Sequence, residues 1–153
     1  MISVEFVSCY SYLNQFKQIV QSDIEGFYMH IEQLTSQVSA SDQMTVEDVK
    51  TVADLGVEIL VCNRPDGEDE GQTSYSEICA EAQRHNLKCI MLAFSSYQIS
   101  DQARDEFAKL IQTRKRIHNY CRSGARSKRL WREANALVGG EKAYDERIAA
   151  EKA

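Results

Sequence analysis

Several features that mark common classes of protein are missing from this chain of 153 residues. Its five cysteines are an odd number and no two are spaced as CxxC, and its three histidines are scattered, which argues against a disulfide framework or a zinc site. No apolar run approaches the length of a membrane span, and the first residues do not form a convincing signal peptide. We therefore expect a cytoplasmic protein with no membrane partner, and nothing in the sequence implies a metal or organic cofactor.

A surplus of basic residues is also missing from the chain as a whole. The net charge of −5 and the pI of about 5.2 argue against a general nucleic-acid binder. Residues 104–132 nevertheless contain ten Lys and Arg against Asp105 and Glu106, so this span carries +8 and the remainder −13. The span is either a solvated helix face or a field that steers a small anionic ligand.

Short apolar runs alternate with helical patterns from Thr45 onward. Runs at 57–62, 88–94 and 117–120 predict buried strands, and capping boxes or helical stripes predict a helix before or after each of them. This alternation predicts a single α/β domain with a mainly parallel central sheet flanked by helices. We place the domain at residues 35–140, with an edge strand at 35–40.

The two ends of the chain are expected to lie outside this domain. Residues 1–34 form a predicted N-terminal extension, in which apolar residues from Leu13 to Ile24 keep helical spacing. Such a helix could pack on the domain or serve homo-oligomerisation. Residues 141–153 form a charged tail that is predicted to be helical.

The most informative stretch is Tyr120-Cys121-Arg122-Ser123-Gly124-Ala125-Arg126-Ser127. A cysteine follows a predicted strand, and a glycine-containing turn then leads into a helix. Backbone N–H groups of the turn, the positive end of the helix dipole and the arginines would favour a bound oxyanion and a thiolate at Cys121. The predicted nucleophile is Cys121, and Arg126 is the predicted bidentate ligand of the oxyanion. The other predicted residues of this anion-binding loop are Arg122, Ser123, Gly124, Ala125 and Ser127.

A second polar segment follows the first predicted buried strand. In a parallel sheet the carboxyl ends of the strands share one edge, so Asn63-Arg64-Pro65-Asp66 and the cysteine loop could face a common crevice. Arg64 either faces that crevice or pairs with Asp66 or Glu68. Asp66 is a candidate general acid and also a good turn former beside Pro65. Asp101 is another candidate acid, or a residue that complements the dipole of its helix.

These two segments, together with Met44-Thr45-Val46-Glu47-Asp48-Val49, resemble the phosphatase-like domain of the beta-lactamase hydrolase-like proteins from about Thr35 to Leu137. The resemblance implies the fold of the cysteine-dependent tyrosine and dual-specificity phosphatases. It leaves two activities open, phosphate ester hydrolysis and sulfur transfer of the rhodanese type. The implied substrate is correspondingly a phosphate ester, thiosulfate or a persulfide.

Three features of the residues favour sulfur transfer. Four residues separate Cys121 from Arg126, whereas a phosphatase loop of this fold has five, and Tyr120 replaces the usual histidine. The place of the usual acid reads Ser95-Ser96-Tyr97. We therefore expect a sulfurtransferase that forms a persulfide on Cys121. The alternatives are a phosphatase with a phosphocysteine intermediate and a non-catalytic anion-binding module. Ser127 could donate to the thiolate or cap its helix.

Overall fold

The computed structural model describes residues 29–95 and 98–153. The predicted helix within the N-terminal extension, and Cys9, lie outside the described residues. The described strands are β1 Ile31–Gln33, β2 Val38–Ser41, β3 Ile59–Cys62, β4 Lys88–Met91 and β5 Ile117–Tyr120. The described helices are α1 Val46–Asp54, α2 Tyr75–Arg84, α3 Asp101–Gln112, α4 Ala125–Val138 and α5 Gly140–Lys152.

The five strands form one sheet in the order β1-β2-β5-β3-β4. Strand β1 pairs antiparallel with β2, while β2, β5, β3 and β4 are parallel. The prediction of a mainly parallel α/β sheet is confirmed. Strand β5 is central, so the loop that follows it opens at the carboxyl edge between β2 and β3.

The prediction of an edge strand at 35–40 is wrong both in the residues of the strand and in its place in the sheet. The strand runs over Val38–Ser41 and lies between β1 and β5, so that β1 forms the edge. Its Ser39 and Ser41 are buried, and their hydroxyls contact the ring nitrogens of buried His118, both at 2.9 Å. Hydrogen bonding to a neighbouring strand lets polar residues occupy an interior position.

Each face of the sheet carries a separate hydrophobic layer. One layer includes Val49 and Val52 of α1 and Ile78 of α2. The other includes Phe107 of α3 and Leu130 of α4. Strand residues alternate between the layers, as side chains of a strand must, and the sheet is covered by helices on both sides.

Helix α5 follows α4 after Gly139 and contacts the domain. Its Tyr144 is buried, and its Arg147 Nη2 lies 3.3 Å from Glu58 Oε2, just before β3. The predicted domain boundaries at 34 and 140 stay predictions. Strand β1 shows that residues before 34 already take part in the sheet.

No described helix is long and apolar enough to cross a membrane. The described residues also contain no group of three or more His, Cys, Asp or Glu placed to hold a metal ion.

Candidate active site

The cysteine loop is fixed to strand β2 by its backbone. Cys121 N donates to Ser41 O at 3.3 Å, and Gln43 N donates to Arg122 O at 3.2 Å. Gly124 has φ +90°, and a Cβ there would lie 3.4 Å from Ser41 O. A left-handed conformation so close to a neighbouring carbonyl favours glycine, which lets the loop turn directly into helix α4.

Cys121 is fully buried, and its sulfur faces the amides of the loop. Gly124 N donates to Cys121 Sγ at 3.1 Å. The backbone N–H groups of Arg122 and Ser123 have no acceptor among the residues that the structure describes. Donors of this kind suit an incoming oxyanion.

Arg126 is held so that one edge of its guanidinium stays available. Its Nη1 donates to Glu68 Oε2 at 2.9 Å and to Phe94 O at 3.1 Å, and its Nη2 donates to Glu68 Oε1 at 2.7 Å. A guanidinium has five N–H donors. The two that remain, on Nε and Nη2, lie along the same edge and form a fork that matches one oxyanion.

The ion pair with Glu68 changes the titration of both groups. The hydrogen bond from Arg126 is the main cause that lowers the pKa of Glu68 to about 2. The same bond raises the pKa of Arg126, and the nearby Cys121 sulfur acts in the same direction. Since Glu68 is ionised throughout the physiological range, it positions Arg126 and does not act as a proton donor.

Arg64 is buried and bonds to three side chains of the site. Its Nε donates to Glu68 Oε1 at 2.7 Å, its Nη1 to Gln43 Oε1 at 2.9 Å and its Nη2 to Asp69 Oδ2 at 2.5 Å. Of the two sequence-based alternatives for Arg64, pairing with Glu68 is the one seen, and Asp69 is an additional partner. Arg122 Nε also lies 3.3 Å from Asp69 Oδ2.

The two candidate acids from the sequence are occupied elsewhere. Asp66 Oδ1 accepts from Tyr75 N at 2.8 Å, at the start of helix α2. Asp101 is on the first turn of α3 and lies 3.0 Å from Arg104 Nη1, with its side chain 86% exposed. These contacts correspond to the turn-forming and helix-complementing roles, and the catalytic role of either residue stays a prediction.

A buried amide network supports the loop from below. Ser127 Oγ donates to Asn63 Oδ1 at 2.8 Å, so its hydroxyl serves neither of the two roles expected from the sequence. Asn119 Nδ2 donates to Ser127 O at 2.9 Å and to Asn63 Oδ1 at 3.2 Å. Asn63 Nδ2 in turn donates to Leu92 O at 3.0 Å. The network connects β3, β4 and β5 to the first turn of α4.

His118 of β5 is a neutral histidine that bonds to two serines of β2. Ser41 Oγ donates its proton to Asp42 O at 2.8 Å, so it must accept from His118 Nε2, and Nδ1 then accepts from Ser39. Burial lowers the pKa of His118 to about 3. Tyr120 is buried in the hydrophobic cluster that also contains Met44 and Leu60.

The site contains residues that sequence reasoning did not assign to it. Glu68 was considered only as a partner of Arg64, and Asp69, Gln43 and Asn119 were given no role. The opposite charges of two segments could have indicated that these residues belong to the site. Segment 66–70 holds four acidic residues at the end of one buried strand, and the arginine-rich loop follows the adjacent one.

Solved structures similar to this chain define the class of fold. A candidate phosphatase from Neisseria meningitidis is 28% identical, with a TM-score of 0.59 over 65% of this chain and 71% of that one. A second candidate phosphatase, from Shewanella putrefaciens, is 11% identical with a TM-score of 0.58 over 85% and 98%. Tk-PTP in its active form is 14% identical with a TM-score of 0.51 over 79% and 94%. The fold is that of the tyrosine phosphatases.

The family follows from a match over residues 30–138 to the phosphatase-like domain of the beta-lactamase hydrolase-like protein. The chain belongs to this family, as its sequence motifs predicted. No curated protein matches the chain. The comparisons support a phosphatase-like hydrolase, which was the alternative interpretation of the sequence, and none of them supports the expected sulfurtransferase.

Proposed function

We propose that the protein is a cysteine-dependent phosphatase that hydrolyses small phosphate esters through a phosphocysteine intermediate on Cys121. The observation that carries the proposal is the hydrogen bond from the Gly124 amide to the Cys121 sulfur, in the same loop that leads to the Arg126 guanidinium held by Glu68. The oxygens of a bound phosphoryl group would accept hydrogen bonds from the loop amides and from Nε and Nη2 of Arg126, while the sulfur attacks phosphorus.

Steady-state hydrolysis of 4-nitrophenyl phosphate tests this proposal. The wild type should release phosphate, and Cys121→Ser should abolish release because serine is a far weaker nucleophile at neutral pH. Cys79→Ser is the matched control, since Cys79 lies on helix α2, apart from the loop, and it should retain activity. Hydrolysis that survives Cys121→Ser would refute the proposal.

Sulfur transfer is a second candidate that two observations favour. Only four residues separate Cys121 from Arg126, and the nearby Glu68 and Asp69 are both held by arginines. Moving a sulfane sulfur onto a thiolate makes little demand on a general acid. Wild-type protein incubated with thiosulfate and cyanide would then form thiocyanate, with a persulfide on Cys121, and would leave phosphate esters intact. Binding of these anions without turnover would instead indicate the non-catalytic module.

A further inference from the structure

Asp69 is the one acidic residue of segment 66–70 that combines contact with the cysteine loop and an oxygen without a partner. Asp66 binds the Tyr75 amide, and Glu68 has both oxygens on arginines. One oxygen of Asp69, Oδ2, forms ion pairs with both Arg64 Nη2 and Arg122 Nε. Its Oδ1 has no hydrogen-bond partner among the described residues.

The location of Asp69 follows from the contacts of its neighbours. Arg122 is adjacent to Cys121 and touches Asp69, whereas Arg126 ends the loop and touches Glu68. Glu68 and Asp69 are consecutive, so their Cα atoms lie about 3.8 Å apart. Together they contact the loop at two positions, Arg122 and Arg126. The Asp69 side chain is 45% exposed, so solvent water can reach it beside Arg122.

We infer that Asp69 is the general base of the second half-reaction, and that the substrates are phosphoryl compounds whose leaving group departs without a proton. This inference rests on the proposed phosphatase function. A carboxylate that is oriented by two guanidinium groups and keeps one free oxygen is suited to accept a proton from water. Acyl phosphates and activated aryl phosphates such as 4-nitrophenyl phosphate have weakly basic leaving groups that depart as anions without a proton donor.

The proposed reaction has two steps, transfer of the phosphoryl group to Cys121 and its hydrolysis. In the first, the Cys121 thiolate forms a bond to phosphorus, the bond from phosphorus to the ester oxygen breaks, and the leaving group takes the electron pair as an anion. In the second, Asp69 Oδ1 removes a proton from water, the water oxygen bonds to phosphorus, and the sulfur–phosphorus bond breaks. Cys121 returns as a thiolate, inorganic phosphate leaves, and Asp69 gives its proton to solvent.

Rapid-mixing kinetics of Asp69→Asn with 4-nitrophenyl phosphate test the role of the base. The variant should release one equivalent of 4-nitrophenol per Cys121 at nearly the wild-type rate, and then turn over about 10²-fold more slowly. Mass spectrometry should find the phosphoryl group retained on Cys121. Glu70→Gln, at the neighbouring exposed position, is the control and should follow the wild type.

A merely structural role for Asp69 would give a different result. If Asp69→Asn slows the first release and the steady state equally, with no retained phosphoryl group, Asp69 is not the base. Turnover of alkyl phosphates as fast as that of aryl phosphates by the wild type would overturn the substrate class. Failure of the wild type on every phosphate ester would refute the proposed function itself and this inference with it, which separates that outcome from the other two.

Discussion

At the residue scale, the proposed binding of an oxyanion depends on the orientation of the Arg126 guanidinium. Glu68 and the Phe94 carbonyl take three of its five N–H donors, and the remaining pair forms the oxyanion fork. An arginine side chain has several rotatable bonds, so holding it in one orientation reduces the entropy that is lost on binding. Glu68 is thus a positioning residue for Arg126.

Glu68→Gln should therefore weaken both activity and stability. Glutamine keeps one acceptor oxygen but loses the charge that pairs with Arg64 and Arg126, which are buried. We expect kcat/KM to fall about 10- to 100-fold through misplacement of the fork. The free energy of unfolding should decrease by about 2 kcal/mol, because two buried cations lose part of their compensation.

Glu70→Gln serves as the control for this measurement. Its position is exposed in the same acidic segment, so kcat/KM and the urea midpoint should stay close to the wild-type values. Equal kcat/KM values for Glu68→Gln and the wild type would show that Arg126 needs no such restraint.

At the element scale, the geometry of the loop depends on its attachment to β2. Gly124 turns the chain in the left-handed region next to Ser41, and its amide donates to the Cys121 sulfur. Backbone conformation and sulfur position are therefore coupled in one residue.

Gly124→Ala should cost more activity than stability. A positive φ destabilises any residue with a Cβ by about 1 kcal/mol, and the new Cβ would come into van der Waals contact with the Ser41 carbonyl. We expect kcat/KM to fall at least about 10-fold as the amide moves from the sulfur, measured with 4-nitrophenyl phosphate.

Gly71→Ala isolates the backbone contribution. Gly71 has φ +77°, and a Cβ there would meet nothing within 4 Å. It should lose about the same 1 kcal/mol of stability and keep its activity. If the two variants show the same kcat/KM, the close approach of Gly124 to β2 has no role in the loop.

Much of this arrangement of elements could be predicted from local patterns. Strand β3 is an apolar run that ends at turn residues, and helices α1 and α2 begin at capping boxes that the structure contains at Thr45 and Ser74. Strand β2 was misplaced because the hydroxyls of Ser39 and Ser41 both bond to His118, 77 to 79 residues away. Local polarity cannot reveal a partner at that separation.

The candidate site was predictable in part for the same reason. The Cys121 loop has a compact motif, whereas Glu68 and Asp69 join the site through ion pairs to residues more than fifty positions away. The surplus of basic residues at 104–132 did not indicate how many of these cations pair with nearby carboxylates. Several of its members pair with acidic residues on their own helices, such as Arg104 with Asp101 and Lys109 with Glu106.

At the scale of the whole molecule, buried titratable groups make stability depend on pH. The pKa of His118 is about 3 in the folded state, below the value of about 6.5 that an unfolded histidine has. The unfolded state therefore binds an extra proton between these values, and stability is lost as the pH falls through that window. Glu68, with a pKa of about 2, adds a further loss only below about pH 4.5.

Urea unfolding at pH 7 and pH 5 should isolate the histidine. Linkage predicts that His118 alone removes about 2 kcal/mol between these pH values. His118→Asn should lose this part of the pH dependence even if it is less stable at pH 7. His30→Gln, which changes an exposed histidine, should retain it. An unchanged pH dependence in His118→Asn would show that His118 is not held neutral by burial.

The central claim is that Cys121 carries the transferred group and that this group is phosphoryl. Rapid acid quenching of the wild type with 4-nitrophenyl phosphate, followed by peptide mass mapping, tests it most directly. We expect a phosphoryl group on the peptide that contains Cys121, and none in Cys121→Ser. A phosphoryl group on another residue, or phosphate release by Cys121→Ser at the wild-type rate, would contradict it.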